Sequence, residues 1–432
     1  MLELKNLINE RNFFMKKIIS TFAVACIAFS LTGCNKNIPM QDCLNTNMGS
    51  TGYNQIMKTE NGYYYNATRL GDMSLRYHDN TTGKDIYLCA KPECTHDGGD
   101  KFCTATSKGF HVYYTGIYGS NIYIAASETD GKQISFKLLK ASLDGTELTE
   151  VCTFVQTNGS ERGMGQVYSN SDTMILHRGY AFIPYYLVTS ETEFAGKAGL
   201  AIVNLSDKSI QYMPEYEFNN TKGYMNVIPY GDYIYYTVTI KTEFHRYNFK
   251  TGEDEILTLK ENLKETYGHN LEEKFSKYTI IDDKVWYIYG TEETGFSMFI
   301  YDPNANTTVL VEEFEGKLLD EIGVYDENGV LEGIYWEHYN TPKPKYDGKY
   351  LYIGEGGFDA GEYSKLKVHI FTLEGDRLGG FVFGGDSSCQ VNILDETFYI
   401  QTEENTLFCS VSDVISGNIE WKELYQFEKG ED

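Results

Sequence analysis

Proline is scarce in this chain, 8 residues in 432, and tryptophan is scarcer at 3. So little proline excludes a proline-rich or collagen-like chain and leaves strands uninterrupted. Positive charge is also in deficit, with 37 Lys and Arg against 62 Asp and Glu and a net charge of −25. Such a balance argues against nucleic acid as a partner, because phosphate binding needs a basic face, and anionic headgroups repel it. Helical periodicity is nearly missing. The clearest stretch runs from Leu257 to Lys277, where Leu259, Leu263 and Tyr267 alternate with Lys and Glu. It predicts one or two short exposed helices in a loop. Catalytic signatures are missing as well. There is no Gly-x-Ser-x-Gly elbow, no His-Glu-x-x-His, no Walker loop and no EF-hand loop. The 8 histidines are scattered, with no pair at ligand spacing. Asp and Glu are so frequent that a catalytic carboxylate pair is neither excluded nor singled out.

Aromatics are what the chain has in abundance, 36 tyrosines and 24 phenylalanines. Tyr, Phe, Ile, Val and Thr recur in runs that suit strands. One element repeats seven times, a polar turn followed by an aromatic strand, as in Gly231-Asp232-Tyr233-Ile234-Tyr235-Tyr236 and Asp283-Lys284-Val285-Trp286-Tyr287. A tight turn follows each copy, as in Asn248-Phe249-Lys250-Thr251-Gly252 and Asp302-Pro303-Asn304-Ala305-Asn306. Asn, Asp and Gly supply the positive φ angles and side-chain bonds that hairpin turns need. An apolar stretch precedes each copy, so each unit reads as four antiparallel strands. The fold expected is all-β: a β-propeller of four-stranded blades, seven in number, with six or eight as alternatives. Two packed β-sandwiches are the rival, but they do not require seven copies of one order. Blade six is the hardest to delimit, because residues 314–345 hold an extra strand-like piece at Gly333-Ile334-Tyr335-Trp336-Glu337 that reads as an inserted hairpin.

The amino-terminal part differs from the rest. After Met15-Lys16-Lys17, an apolar run from Ile18 to Leu31 covers about 14 residues and ends on Leu31-Thr32-Gly33-Cys34. This is short of the ~20 residues of a spanning helix and has the n-region, h-region and cleavage site of a secretory signal. Leu-Thr-Gly-Cys resembles the lipobox of bacterial lipoproteins. The resemblance implies that the chain is cut before Cys34 and that the Cys34 thiol carries a diacylglycerol. Met15 is then a candidate start of translation. The expected organisation is residues 1–33 as signal peptide, 34–51 as flexible tether, 52–428 as a single propeller domain and 429–432 as tail. The location implied is the outer side of the cytoplasmic membrane, at the cell surface.

The folded region resembles a class of Gram-positive surface lipoproteins of unassigned role, whose propellers are similar to the YWTD propeller of low-density-lipoprotein receptors. Tyr235-Tyr236-Thr237-Val238 stands where that family has Tyr-Trp-Thr-Asp. The resemblance supports the fold and carries no ligand site.

The one concentrated constellation is Cys89-x4-Cys94-x-His96-x6-Cys103, in the connection between blades one and two. Three thiols and a histidine form a legitimate zinc set, although the spacing is not that of a standard finger. A Cys94–Cys103 disulfide closing over Gly98-Gly99 suits an exported protein equally. Free thiols are the third alternative. Each role is structural before it is catalytic, and no cofactor is expected beyond a structural zinc. Cys152, Cys389 and Cys409 lie in strand patterns and read as core; Cys43 lies in the tether.

Three functions remain open: a non-enzymatic binding scaffold for a protein, peptide or glycan; a glycan-active or other hydrolytic enzyme using carboxylates on the propeller face; and an accessory factor for one envelope partner. The expected partners are the membrane, through lipid, and such a ligand, held by a monomer. The expected ligand face carries the longest excursions, 314–345 and 354–364, with Tyr335, Trp336, Tyr339, Tyr346 and Phe358 as stacking residues.

Overall fold

The computed structural model describes residues 42, 56–69, 72–96, 103–105, 110–130, 133–158, 174–190, 195–219, 225–238, 243–267, 278–291, 295–314, 323–325, 331–334, 343–355, 359–360, 366–383, 389–402 and 405–426. Among these, no helix is long and apolar enough to cross a membrane.

The chain lays down seven antiparallel blades in order. Blade one is β1 (Ile56–Lys58), β2 (Gly62–Arg69), β3 (Asp72–Asp79) and β4 (Lys84–Tyr87). Blade two is β5 (Phe110–Tyr118), β6 (Asn121–Asp130), β7 (Gln133–Ser142) and β8 (Leu148–Asn158). Blade three is β9 (Ile175–His177), β10 (Tyr180–Ser190), β11 (Ala195–Asn204) and β12 (Ile210–Tyr212), and its outer edge resumes as β13 (Tyr216–Asn219) after a break at Pro214. Proline has no N–H to give the ladder, so pairing stops there. Blade four is β14 (Met225–Tyr230), β15 (Tyr233–Val238), β16 (Glu243–Asn248) and β17 (Asp254–Leu257), followed by helix α1 (Leu259–Tyr267). Blade five is β18 (Tyr278–Ile281), β19 (Lys284–Thr291), β20 (Gly295–Asp302) and β21 (Thr307–Phe314). The hairpin β22 (Gly323–Tyr325) and β23 (Leu331–Ile334) stands between blades five and six, where the sequence suggested an insertion. Blade six is β24 (Lys343–Tyr346), β25 (Leu351–Glu355), β27 (Leu366–Phe371) and β28 (Arg377–Phe383); β26 (Asp359–Ala360) leaves it to pair with the next blade. Blade seven is β29 (Cys389–Leu394), β30 (Thr397–Thr402), β31 (Asn405–Ser410), helix α2 (Val411–Ser416) and β32 (Lys422–Gln426). This is the seven-bladed propeller expected from the sequence. In each blade the four strands are called A to D below, from first to last.

The repeated turn residues have local physical causes. The A–B turns Arg178-Gly179, Asp282-Asp283 and Asp395-Glu396 hold both residues at positive φ, between +46° and +83°. That is the two-residue hairpin geometry that Gly, Asn and Asp tolerate best. Four C–D turns begin on an Asp or Asn whose side chain caps the turn. Asp79 Oδ1 accepts from the N–H groups of Thr81 and Thr82 at 2.7 and 2.9 Å, and Asn204, Asn248 and Asp302 do the same for their own turns.

The core lies between blades. Successive strand residues point to opposite faces, and here each face meets a neighbouring sheet. Tyr235 is buried in the cluster shared by blades four and five, and Tyr236 in the one shared by blades three and four. Tyr64 packs between blades one and two, while Tyr63 and Tyr65 pack against Tyr399 of blade seven. Aromatic runs therefore mark strands buried on both faces. Helix α1 departs from the exposed helix expected. Leu259 and Leu263, one turn apart, are fully buried in the cluster of blades four and five. Cys389 and Cys409 are core residues of the cluster between blades six and seven, and Cys152 is half-buried on β8.

Among the described residues, the ring closes without exchanging a strand. Each of the seven sheets is built from strands consecutive in sequence, apart from the added β26. Blades seven and one meet through side chains alone among the described residues. Ile56, Tyr63, Tyr65 and Tyr399 form a buried cluster with Leu394, Phe408 and Leu424 against it. The Tyr63 and Tyr399 hydroxyls share a hydrogen bond of 3.1 Å, and Lys58 pairs with Asp395 at 3.2 Å.

Candidate metal centre

Cys89 follows the outer strand of blade one. Leu88 still pairs there, its N–H donating to Leu75 O at 3.0 Å. The backbone then crosses to the neighbouring blade, where Ala90 N–H donates to Gly145 O at 3.1 Å in the β7–β8 turn. Gly145 sits at φ +70°, and a Cβ there would lie 2.9 Å from the Cys89 nitrogen, so only glycine allows this approach. Lys91 to Cys94 forms a turn closed by Cys94 N–H on Lys91 O at 3.2 Å, with Pro92 at the second position. Proline's fixed φ suits that position, and the turn carries Cys94 back toward Cys89.

His96 has φ +54°, a left-handed conformation that a β-carbon disfavours. Its ring stacks on Tyr87, centroids 4.8 Å apart, and the Arg76 guanidinium lies 4.4 Å from the centroid of the same tyrosine. Packing thus fixes the imidazole. Cys103 is fully buried. The two residues after it are tied to both blades: Thr104 Oγ1 donates to Gly145 O at 3.1 Å, and Ala105 O accepts from Leu75 N–H at 2.7 Å.

The result is convergence. One ligand atom from each of Cys89, Cys94, His96 and Cys103 lies within 4.8 Å of every other. Cys103 Sγ is 3.6 Å from His96 Nδ1. For metal–sulfur and metal–nitrogen bonds of about 2.3 and 2.0 Å, a tetrahedron has ligand–ligand edges of roughly 3.5–3.8 Å. No disulfide joins Cys89, Cys94 or Cys103 in this structure. The His96 N–H lowers the pKa of Cys94, but burial and the adjoining Cys103 and Cys89 thiols outweigh it and push the thiol up to about 11. Four protein donors would leave no open coordination position, which is the arrangement of a structural rather than a catalytic zinc.

Of the expected ligand-face residues, Tyr335, Trp336, Tyr339 and Phe358 lie outside the described residues, as does Cys34. Tyr346 is half-buried against the cluster of blades five and six, and burial raises its pKa. It ends β24 at the A–B turn, the opposite end of that strand from the long 315–342 connection.

A second polar site was not legible in the sequence. Asp42, in the segment read as tether, accepts from Arg178 Nε and Nη2, and Arg178 also bonds Asp232 at 3.0 Å. The Arg178 hydrogen bonds hold the Asp42 carboxyl below the usual carboxylate range. Next to it, His177 Nε2 meets Gly231 O at 2.7 Å, linking blades three and four; burial lowers the His177 pKa. Nor did the sequence show the supports of His96, because Tyr87 and Arg76 look like ordinary strand residues.

No protein-family model and no curated protein matches the sequence. Solved structures resemble the chain in shape. A prolyl endopeptidase aligns over 88% of this chain and 50% of its own, with TM-score 0.49 and 9% identity. The β-propeller domain of the trilobed protease from Pyrococcus furiosus, described as having an open velcro topology, aligns over 88% and 99%, with TM-score 0.40 and 11% identity. A puromycin-hydrolyzing peptidase of Mycobacterium tuberculosis aligns over 84% and 52%, with TM-score 0.40 and 12% identity. The chain spans about half the length of the prolyl endopeptidase it matches. The propeller architecture follows from this chain's own strand pairing.

Proposed function

We propose that this protein is a lipid-anchored propeller on the outer side of the cytoplasmic membrane, and that it works there as a monomeric, non-enzymatic scaffold for a protein, peptide or glycan ligand. The observation that supports a scaffold is the unequal length of the segments at the two ends of the A strands. The A–B turns hold only two to four residues. The connections that enter the A strands from the previous blade hold 16 to 28 residues in four of six cases, the longest being 315–342. A rigid ring with long segments gathered at one end of its inner strands is a scaffold on which recognition can vary without disturbing the core. The lipid anchor rests on the run from Ile18 to Cys34. A diacyl anchor supplies two chains of buried CH₂ at about 0.8 kcal/mol each, which is needed because the acidic surface gains nothing from anionic lipid.

The test separates anchoring from binding. Cys34→Ala should move the protein from the membrane to the soluble fraction, and a variant still held in the membrane would count against the anchor. A soluble form from residue 35, with residues 361–365 replaced by a short Gly-Ser linker so that β26 and Asp42 are kept, should hold its melting temperature. It should also lose retention on purified cell-wall glycan or on the envelope protein that cross-links to the native chain. Hydrolysis of either by the soluble form would turn the reading toward an enzyme.

A further inference from the structure

We propose that Cys89, Cys94, His96 and Cys103 bind one zinc ion in a closed tetrahedral site that locks the connection between blades one and two. Three observations converge on this. The four donors come from a segment anchored at both ends, to Gly145 by the Ala90 N–H and the Thr104 hydroxyl and to Leu75 by the Leu88 and Ala105 backbone. They lie within 4.8 Å of one another, and the 3.6 Å between Cys103 Sγ and His96 Nδ1 is already a tetrahedral edge. The histidine is aimed by its stack on Tyr87 and by a left-handed backbone. A disulfide explains less. It would use two of the three thiols, strand the third beside an imidazole, and give the ring orientation no purpose.

Zinc fits the donor set by charge and geometry. Three thiolates and a neutral imidazole are soft-to-borderline ligands, and zinc is tetrahedral and redox-silent. On binding, three thiol protons leave to solvent, and three Zn–S bonds and one Zn–N bond form. Nothing is oxidised. With all four positions filled by protein, no water is activated, so the ion acts on stability and on the placement of the connection.

The experiment uses the mature chain purified without oxygen and without added chelator. Metal analysis should find one zinc per chain, and cobalt exchange should give the visible bands and sulfur-to-metal charge transfer of tetrahedral thiolate coordination. Cys94→Ser and His96→Ala should each abolish that spectrum while circular dichroism stays that of a β-protein. Tyr87→Ala, which removes the ring that His96 and Arg76 pack on but no ligand, should weaken zinc binding by about tenfold. Cys389→Ser, in the core of blade seven, should change none of this. Metal-free protein with Cys94 and Cys103 joined in a non-reduced digest would overturn the proposal. So would zinc kept at full stoichiometry in a Cys94→Ser, His96→Ala double variant. Should Cys103→Ser fail to fold, the more accessible Cys94 and His96 variants still decide the question.

Discussion

Two junctions of the ring share apolar packing and differ in what is added to it. Between blades one and two the chain is continuous, the backbone is stitched to both sheets, and four metal-ligating side chains converge in the connection. Blades seven and one are far apart in sequence, and the described contacts between them are side-chain contacts around Tyr63 and Tyr399. The first junction buries an apolar cluster around Tyr64, Leu88 and Ile122 and adds polar cross-links that are local in sequence. The second joins tyrosines 336 residues apart, and the polar contacts described there are the Tyr63–Tyr399 hydroxyl pair and Lys58–Asp395. A ring can thus be closed by packing when both facing strands present large aromatics, each worth roughly 1.5–3 kcal/mol on burial. A long connection, having few apolar residues to bury, needs cross-links.

Four perturbations test that contrast. The largest effect should come from stripping the metal. If zinc is present at about a thousandfold over its dissociation constant, its removal costs about 4 kcal/mol. Proteolysis should then begin between residues 89 and 105, with the Tyr63–Tyr399 junction intact. Acid should act in the same direction, because protons compete with the metal for all four donors and affinity falls as pH falls. Unchanged urea melting after chelation would place the stability of that junction in its backbone bonds and apolar packing. Next is Tyr399→Ala, which opens a cavity at the closing seam and should cost about 3 kcal/mol. Tyr399→Phe keeps the packing and loses one hydrogen bond, so about 1 kcal/mol is expected. Equal losses in the two variants would mean that the hydroxyl pair, not the aromatic packing, closes the ring. Third is Gly145→Ala, about 2 kcal/mol from positive φ together with the clash on Cys89; it should also lower zinc affinity, which no seam variant should do. Smallest is Lys58→Met, about 0.5 kcal/mol or less, since an exposed ion pair is screened by solvent. A salt titration of the seam should be nearly flat.

The sequence revealed what is settled within a few residues. Asp282-Asp283 and Asp395-Glu396 announce their turns because only certain residues accept positive φ, and Asn248 or Asp302 announces a C–D turn because its side chain caps the next two N–H groups. Repetition of such local needs made the blades countable. The cluster of three cysteines and a histidine was legible for the same reason, lying within fifteen residues. What stayed hidden depends on distant partners. Tyr63 gives no hint of Tyr399, Arg178 none of Asp42, and Tyr87 none of His96. Helix α1 hid its burial too, because two leucines one turn apart are too narrow a stripe to distinguish a docked helix from an exposed one.

Because every blade draws its four strands from consecutive chain, the order in which the molecule can be finished is set. A polypeptide delivered amino end first can complete the hydrogen bonds of blade one once residue 87 has emerged, and those of blade seven once residue 426 has followed. No early strand waits for a distant partner, so loop-closure entropy within each sheet stays small. What must wait is the seam. Until the last sheet arrives, the tyrosines of β2 that belong to it face water, an adhesive edge on an unfinished ring and the point where two immature copies would most readily stick together.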